Sequence, residues 1–142
     1  MGKILFSIII PSYNSALFIR RCLDSLLKQT YSNWEAIVID NHSTDDTVSI
    51  VKSYGDSRIQ CYLIHNEGVI AKSRNYGITF AKGDYVCFLD SDDWIVPDMY
   101  EVLVEKMIEG VYDVVNCQLI RDKGNDEEAN FRPEWGNCNW IA

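Results

Sequence analysis

From Phe6 onward the chain repeatedly alternates a short β-rich run with an amphipathic segment, and this alternation narrows its possible folds more than any other feature. Phe6 to Ile10 (FSIII) reads as a fully buried strand stopped by Pro11. From Ala16 to Gln29 the apolar positions Ala16, Ile19, Leu23, Leu26 and Leu27 keep helical spacing, with Asn14 or Ser15 placed to cap the start. Trp34 to Ile39 is a second strand that runs into Asp40. Ser43-Thr44-Asp45-Asp46 opens a short helix, and Gly55 ends it. Ile59 to Ile64, Val69 to Lys82 (stopped by Gly83) and Tyr85 to Leu89 continue as strand, helix and strand. A further helix starts at Pro97-Asp98 and runs to about Glu109, and a fifth strand is expected around Asp113 to Gln118. Strands and helices in this order imply parallel βαβ units with right-handed crossovers. The expected fold class is therefore α/β: a mostly parallel sheet flanked by helices on both faces.

The 142 residues fit one core-bearing domain, expected over residues 1–120. Residues 121–142 differ in character: Arg121 to Asn130 is acidic and aperiodic and reads as a loop. Phe131 to Ala142 gathers Phe131, Trp135, Trp140 and Ile141, a density that asks for a partner surface. The chain is accordingly expected to stop in mid-domain.

Charge and cysteine usage exclude several functions. The formal net charge is −8, and no basic run exceeds Arg20-Arg21, so nucleic acid is not an expected partner. Five cysteines without a C-x-x-C pair argue against a disulfide framework or a zinc site and fit a reducing cytosol. His42 and His65 lie far from any cysteine cluster. Apolar stretches are strand-sized, so neither a signal peptide nor a membrane span is expected.

In an open parallel sheet, ligands bind beyond the carboxyl ends of the strands, near the point where strand order reverses. Those ends here are Pro11-Ser12-Tyr13-Asn14, Asp40-Asn41-His42-Ser43, His65-Asn66-Glu67-Gly68 and Asp90-Ser91-Asp92-Asp93. Polar, acidic and aromatic residues thus collect on one rim. Three carboxylates in four residues repel unless a cation or water separates them, and Mg²⁺ uses one or two carboxylates plus substrate phosphates. An exposed acidic turn capping the next helix, through Asp93 or Asp98, is the plainer alternative. Asp40 is either a turn residue or an acceptor for a base N–H. Tyr13 is either a loop aromatic or a stacking platform. Arg74 is either a snorkelling side chain or a fork donor to a diphosphate or base. Neither a Walker loop, nor G-x-G-x-x-G after the first strand, nor a G-x-S-x-G elbow is present. An aspartyl-phosphate enzyme or response regulator would carry its acidic cluster after the first strand, where this chain has Pro-Ser-Tyr-Asn.

The stretches SIIIPSYNSALFIRRCLDSLLKQTYSNWEAIVIDNHSTDDT and NEGVIAKSRNYGITFAKGDYVCFLDSDDWIVPD closely resemble family 2 glycosyltransferases of the GT-A fold, in register across four motifs from about Phe6 to Tyr100. The resemblance implies transfer of a sugar, with inversion, from a nucleotide-diphosphate sugar (a UDP-sugar is expected) to a saccharide or lipid-linked acceptor hydroxyl. It implies a divalent metal, Mn or Mg, and a place in polysaccharide biosynthesis. Carried over, Pro11 and Tyr13 line the base pocket, Asp40 binds the base, and Arg74 contacts the nucleotide. Asp90 and Asp92 form the Asp-x-Asp motif, with Asp92 on the metal, Asp90 nearer the ribose, and Asp93 sharing either task. The family usually has Gly where His42 stands, a turn position in which His tolerates positive φ better than most residues. The family's catalytic carboxylate base lies in its acceptor half and is not identified here; Asp126, Glu127, Glu128 and Glu134 are candidates in the tail. The alternative is a nucleotide- and metal-binding fragment without transfer activity. The expected location is cytoplasmic or peripheral at the inner face of the membrane.

Overall fold

A computed structural model describes residues 4–110 and 114–115. The elements run β1 (Phe6–Ser12), α1 (Ile19–Leu27), β2 (Trp34–Asp40), α2 (Thr47–Ser53), β3 (Ile59–Leu63), α3 (Ile70–Ile78), β4 (Tyr85–Phe88) and α4 (Met99–Glu109). The four strands form one sheet in the order β3-β2-β1-β4, and every pairing is parallel. The expected fifth strand lies almost wholly outside the described residues, as does the expected boundary at residue 120. The chain divides into a first unit, Met1–Glu101, and a second that starts at Val102. The described part of the second is mainly the remainder of α4, where Lys106 pairs with Glu109 at 2.8 Å.

Strand order fixes where the helices go. β1 to β2 to β3 moves in one direction across the sheet, so right-handed crossovers put α1 and α2 on the same face. The two helices are indeed in contact. β3 to β4 steps back past β1, which carries α3 to the opposite face. There Gly77 sits against Ile9 and Ile39, within a cluster of Ile9, Ile37 and Ile39 closed by Tyr62, Ile64, Phe80 and Ala81. Residues of β1 alternate sides, so Phe6, Ile8 and Ile10 look the other way, and Phe6 meets Tyr100 at a ring distance of 4.7 Å. All seven residues of β1 are buried, as expected for a parallel strand covered on both faces.

Two helices differ from expectation, one in its start and one in its buried face. α1 begins at Ile19 with Phe18 as its N-cap residue and no side-chain cap. The Ser15 carbonyl accepts from the Phe18 and Ile19 N–H groups, at 2.9 Å each, while the Ser15 and Asn14 side chains bond to other loops. In α3 the buried residues are Ser73 and Gly77, whereas Ile70 and Ile78 are largely exposed. Small side chains let this helix approach the sheet closely, so its apolar residues do not mark its inner face. Gly55 does end α2 with positive φ, +61°. Among the described residues no helix is long and apolar enough to cross a membrane, and Cys22 and Cys61 are free thiols.

Close approach of α3 matters because it carries Arg74. A Cβ built on Gly77 would lie 2.5 Å from Ile9 Cγ2, a distance at which something must move. Gly77→Ala is expected to destabilise the chain by about 1–3 kcal/mol through overpacking, measured by urea unfolding, despite alanine's better helix propensity. An unchanged midpoint would mean that α3 is not held at this distance.

Candidate functional site

The strand order reverses at β1, so its carboxyl end and that of β4 flank the topological switch point. A cleft of about 700 Å³ opens there, lined on one side by Pro11, Ser12 and Tyr13 and on the other by Asp90, Ser91 and Asp92. Asn41, Asn66 and Ser73 close it along the rim.

The β1–α1 loop projects Tyr13 into solvent; its side chain is 59% exposed. Asn14 takes positive φ, 47°, a conformation that Asn accepts more easily than most residues. This turn lets the Asn14 N–H donate to Ser43 Oγ at 2.8 Å, while Asn14 Oδ1 accepts the Thr44 N–H at 2.9 Å. The Ser15 N–H donates to Thr47 Oγ1 at 2.8 Å, and Thr47 in turn donates to Asp45. With the Ala16 N–H donating to Asp45 Oδ2 at 3.0 Å, the loop bearing Tyr13 is tied at several points to the β2–α2 loop and the start of α2.

Asp40 ends β2 fully buried, opposite Ser12 in register. Ser43 donates to both its oxygens, from its backbone N–H (2.7 Å) and its hydroxyl (2.5 Å). His42, where the resemblance implies glycine, takes positive φ, 51°. Its imidazole stacks on His65 at 3.8 Å with an 11° tilt, joining the turns after β2 and β3. Asn66 adds two further ties, its N–H to Asn41 Oδ1 and its Nδ2 to Ser73 Oγ, each 2.9 Å.

On the acidic side, the Asp93 N–H donates to the Asp90 carbonyl at 3.0 Å and closes a turn. Arg74 reaches across from α3, and its Nη2 pairs with Asp90 Oδ1 at 2.8 Å. Its Nε is buried without a partner, as is Ser12 Oγ. An orphaned buried donor costs about 1–3 kcal/mol. Ser12 Oγ borders the cleft, where a ligand or water would satisfy it; Trp34 Nε1 is likewise without a partner. Beyond the turn, Arg21 lies over the Trp94 ring, 3.1 Å from its centroid.

The carboxylates feel one another. Asp93 is raised above its ordinary value by desolvation, then by Asp92 and Asp90. Behind the turn the Cys22 thiol, 3.8 Å from the Asp90 carbonyl, is pushed up to about 12 by burial and then by Asp93, Asp92 and Asp90. Such a field attracts a cation. Among the described residues no group of three or more His, Cys, Asp or Glu forms a ready metal cage. One or two hard oxygens here, completed by ligand phosphates, suit Mg²⁺ or Mn²⁺.

The structure thus brings Pro11, Tyr13, Asp90 and Asp92 to one cleft and links Arg74 to it through Asp90, while Asp40 lies buried beside it. Asp126, Glu127, Glu128 and Glu134 lie outside the described residues. Reading the sequence missed Ser15, Ser43, Ser73, Ser91 and the histidine stack, because these contacts join residues distant in the chain that show no periodic signal.

A raised carboxylate binds its proton more tightly folded than unfolded, so its contribution favours the folded state at low pH and is lost as pH rises through the folded value. In metal-free buffer Asp93→Asn is therefore expected to raise Tm at pH 7 and to give no gain below the ordinary value of 3.8. Equal gains at both pH values would show that the carboxylates do not repel.

The comparisons agree with this geometry. Residues 7–140 match the model for glycosyl transferase family 2. The chain is 38% identical over 132 residues to the Escherichia coli UDP-Glc:alpha-D-GlcNAc-diphosphoundecaprenol beta-1,3-glucosyltransferase WfgD, covering 87% of this chain and 51% of that protein. Among solved structures, S. aureus TarS 1-349 in complex with UDP-GlcNAc superposes with a TM-score of 0.70 at 35% identity, over 73% of this chain and 31% of that one. The mannosyltransferase PcManGT from Pyrobaculum calidifontis, in complex with GDP-Man and Mn²⁺, gives 0.58 at 27% identity, over 63% and 28%. The chain spans about a third to a half of the length of several such relatives. With its parallel sheet and switch-point cleft, the chain belongs to glycosyl transferase family 2 and has the GT-A fold.

Proposed function

We propose that this chain is the donor half of an inverting, metal-assisted sugar transferase that holds a nucleoside-diphosphate sugar, a UDP-sugar in the first instance. The observation that carries this reading is the meeting of the exposed Tyr13 loop and the acidic Asp90–Asp93 turn across one switch-point cleft. An aromatic platform and a carboxylate pair suit the two ends of a nucleoside diphosphate.

Tyr13 stacks on the base, and Pro11 shapes the pocket wall. Asp40 accepts a base N–H. A carboxylate offers about four acceptor sites and Ser43 uses two, so Asp40 keeps capacity once the loop opens enough to admit the base. Asp90 faces the ribose, and Arg74, with its Nε still unpartnered, turns a donor toward the diphosphate or base. Asp92, with Asp93 beside it, would hold the divalent ion, which when bound offsets charge developing on the departing diphosphate. The acceptor hydroxyl oxygen bonds to the anomeric carbon from the opposite side. The bond to the diphosphate breaks with its electron pair on the leaving group, and a carboxylate base takes the hydroxyl proton. Binding of UDP-GlcNAc by TarS, and of GDP-Man with Mn²⁺ by PcManGT, supports the donor class and the metal. The name of WfgD supports a lipid-linked saccharide acceptor.

Calorimetric titration of UDP with and without Mn²⁺ tests the reading. Mn²⁺ is expected to tighten UDP, and Asp92→Ala to abolish that effect; metal-independent binding that survives Asp92→Ala would sink the donor-site assignment. In the same assay Tyr13→Ala is expected to weaken UDP by about 1–3 kcal/mol if the ring stacks on the base. Undiminished affinity would return Tyr13 to the status of a loop aromatic.

A further inference from the structure

The two sides of the cleft touch through one contact that the donor reading does not use. Ser15 Oγ and Ser91 Oγ lie 2.7 Å apart. Both residues are buried, at 6% and 8% exposure. They stand 76 positions apart in the chain, one two residues after Tyr13 and the other between Asp90 and Asp92. Ser15 Oγ also lies 3.3 Å from the Tyr13 carbonyl. A carbonyl only accepts, so the arrangement satisfying every group runs from the Ser91 hydroxyl to Ser15, and from the Ser15 hydroxyl to the Tyr13 carbonyl. On its other side Ser15 is held through its N–H by Thr47. Ser91 is thus fastened to the stretch of backbone that aims Tyr13, and its immediate neighbours are the two carboxylates facing the cleft.

We propose that the Ser15–Ser91 hydroxyl pair is a positioning link that couples the two ends of the site, so that a base held at Tyr13 and a divalent cation held at Asp92 strengthen each other's binding. This rests on the donor reading above. A base that orders the Tyr13 loop fixes the Tyr13 carbonyl and Ser15. Ser15 fixes Ser91, and the Asp92 carboxylate next to Ser91 is then held where a cation finds it. Linkage makes the effect reciprocal. A direct route also exists, since the sugar of a bound nucleoside could touch Asp90, and the hydroxyl variants separate the two routes.

The probe is uridine, which carries no phosphate to ligate a metal, so any effect on the cation passes through the protein or the ribose. Mn²⁺ affinity of the full chain is measured from the free-ion electron paramagnetic resonance signal, without and with saturating uridine. The wild type is expected to bind Mn²⁺ about fivefold or more tightly with uridine present. Ser91→Ala and Ser15→Ala should each bring that ratio close to one, and the double variant should lose no more than either single one. Ser91→Thr keeps the hydroxyl and should restore the ratio, a rescue that general loosening of the fold would not produce. A ratio in both alanine variants equal to that of the wild type overturns the link while leaving the donor reading intact. A wild type that binds both ligands without coupling does the same. Absence of uridine, UDP and Mn²⁺ binding in the wild type overturns both.

Discussion

β1 is the element on which the rest of the chain depends. It is buried along its whole length, pairs in parallel with β2 through seven residues and with β4 through four, and is the strand across which chain direction reverses. A parallel strand covered on both faces is apolar along most of its length; Phe6, Ile8, Ile9 and Ile10 are fully buried, and the buried Ser7 hydroxyl is satisfied by Glu35. Because the reversal falls at β1, its carboxyl end and that of β4 cannot both be roofed by crossover helices, and a cleft follows from topology. The polar residues Ser12 and Asp90 stand there because the apolar requirement ends where the sheet does.

Electrostatics within the cleft are unbalanced. Asp90 has Arg74 at 2.8 Å; Asp93 is raised by desolvation and then by Asp92 and Asp90, and the same carboxylates add to the effect of burial on Cys22. One guanidinium offsets about one carboxylate. On the proposed donor reading, the excess negative charge suits a divalent cation. Arg74 can serve both states because only one face of its fork is committed to Asp90 and its Nε remains unpaired.

Much of this was legible in the residues alone, and the reasons are specific. FSIII, WEAIVID and YVCFL follow the rule for buried parallel strands, and the acidic run following the last of these marked the rim before any coordinates. The turn at His42 was legible as well, from the glycine usually found there. What escaped was set by side chains meeting across loops. The start of α1 moved from the expected cap to Phe18 because Ser15 and Asn14 commit their side chains to Ser91, Tyr13 and Thr44. The inner face of α3 escaped because Ser73 and Gly77, not its isoleucines, face the sheet. Apolar periodicity reports which residues avoid water; it does not report which helix must come close.

The same loops explain why the site can be both rigid and receptive. Asn14, Ser15 and Ala16 are bonded to Ser43, Thr44, Thr47 and Asp45, so the loop is anchored on the far side of Tyr13 while Tyr13 itself stays exposed for a ligand to order. Ser12 Oγ and Arg74 Nε are left out of that set. A chain selected for stability alone would replace an unpartnered buried hydroxyl with a methyl group. Strain of this kind persists where surrounding structure enforces it and where binding relieves it. On the proposed donor reading, a nucleotide would cross this border where its base gives way to diphosphate, and Ser15 and Ser91 join the two halves of the cleft at the same place.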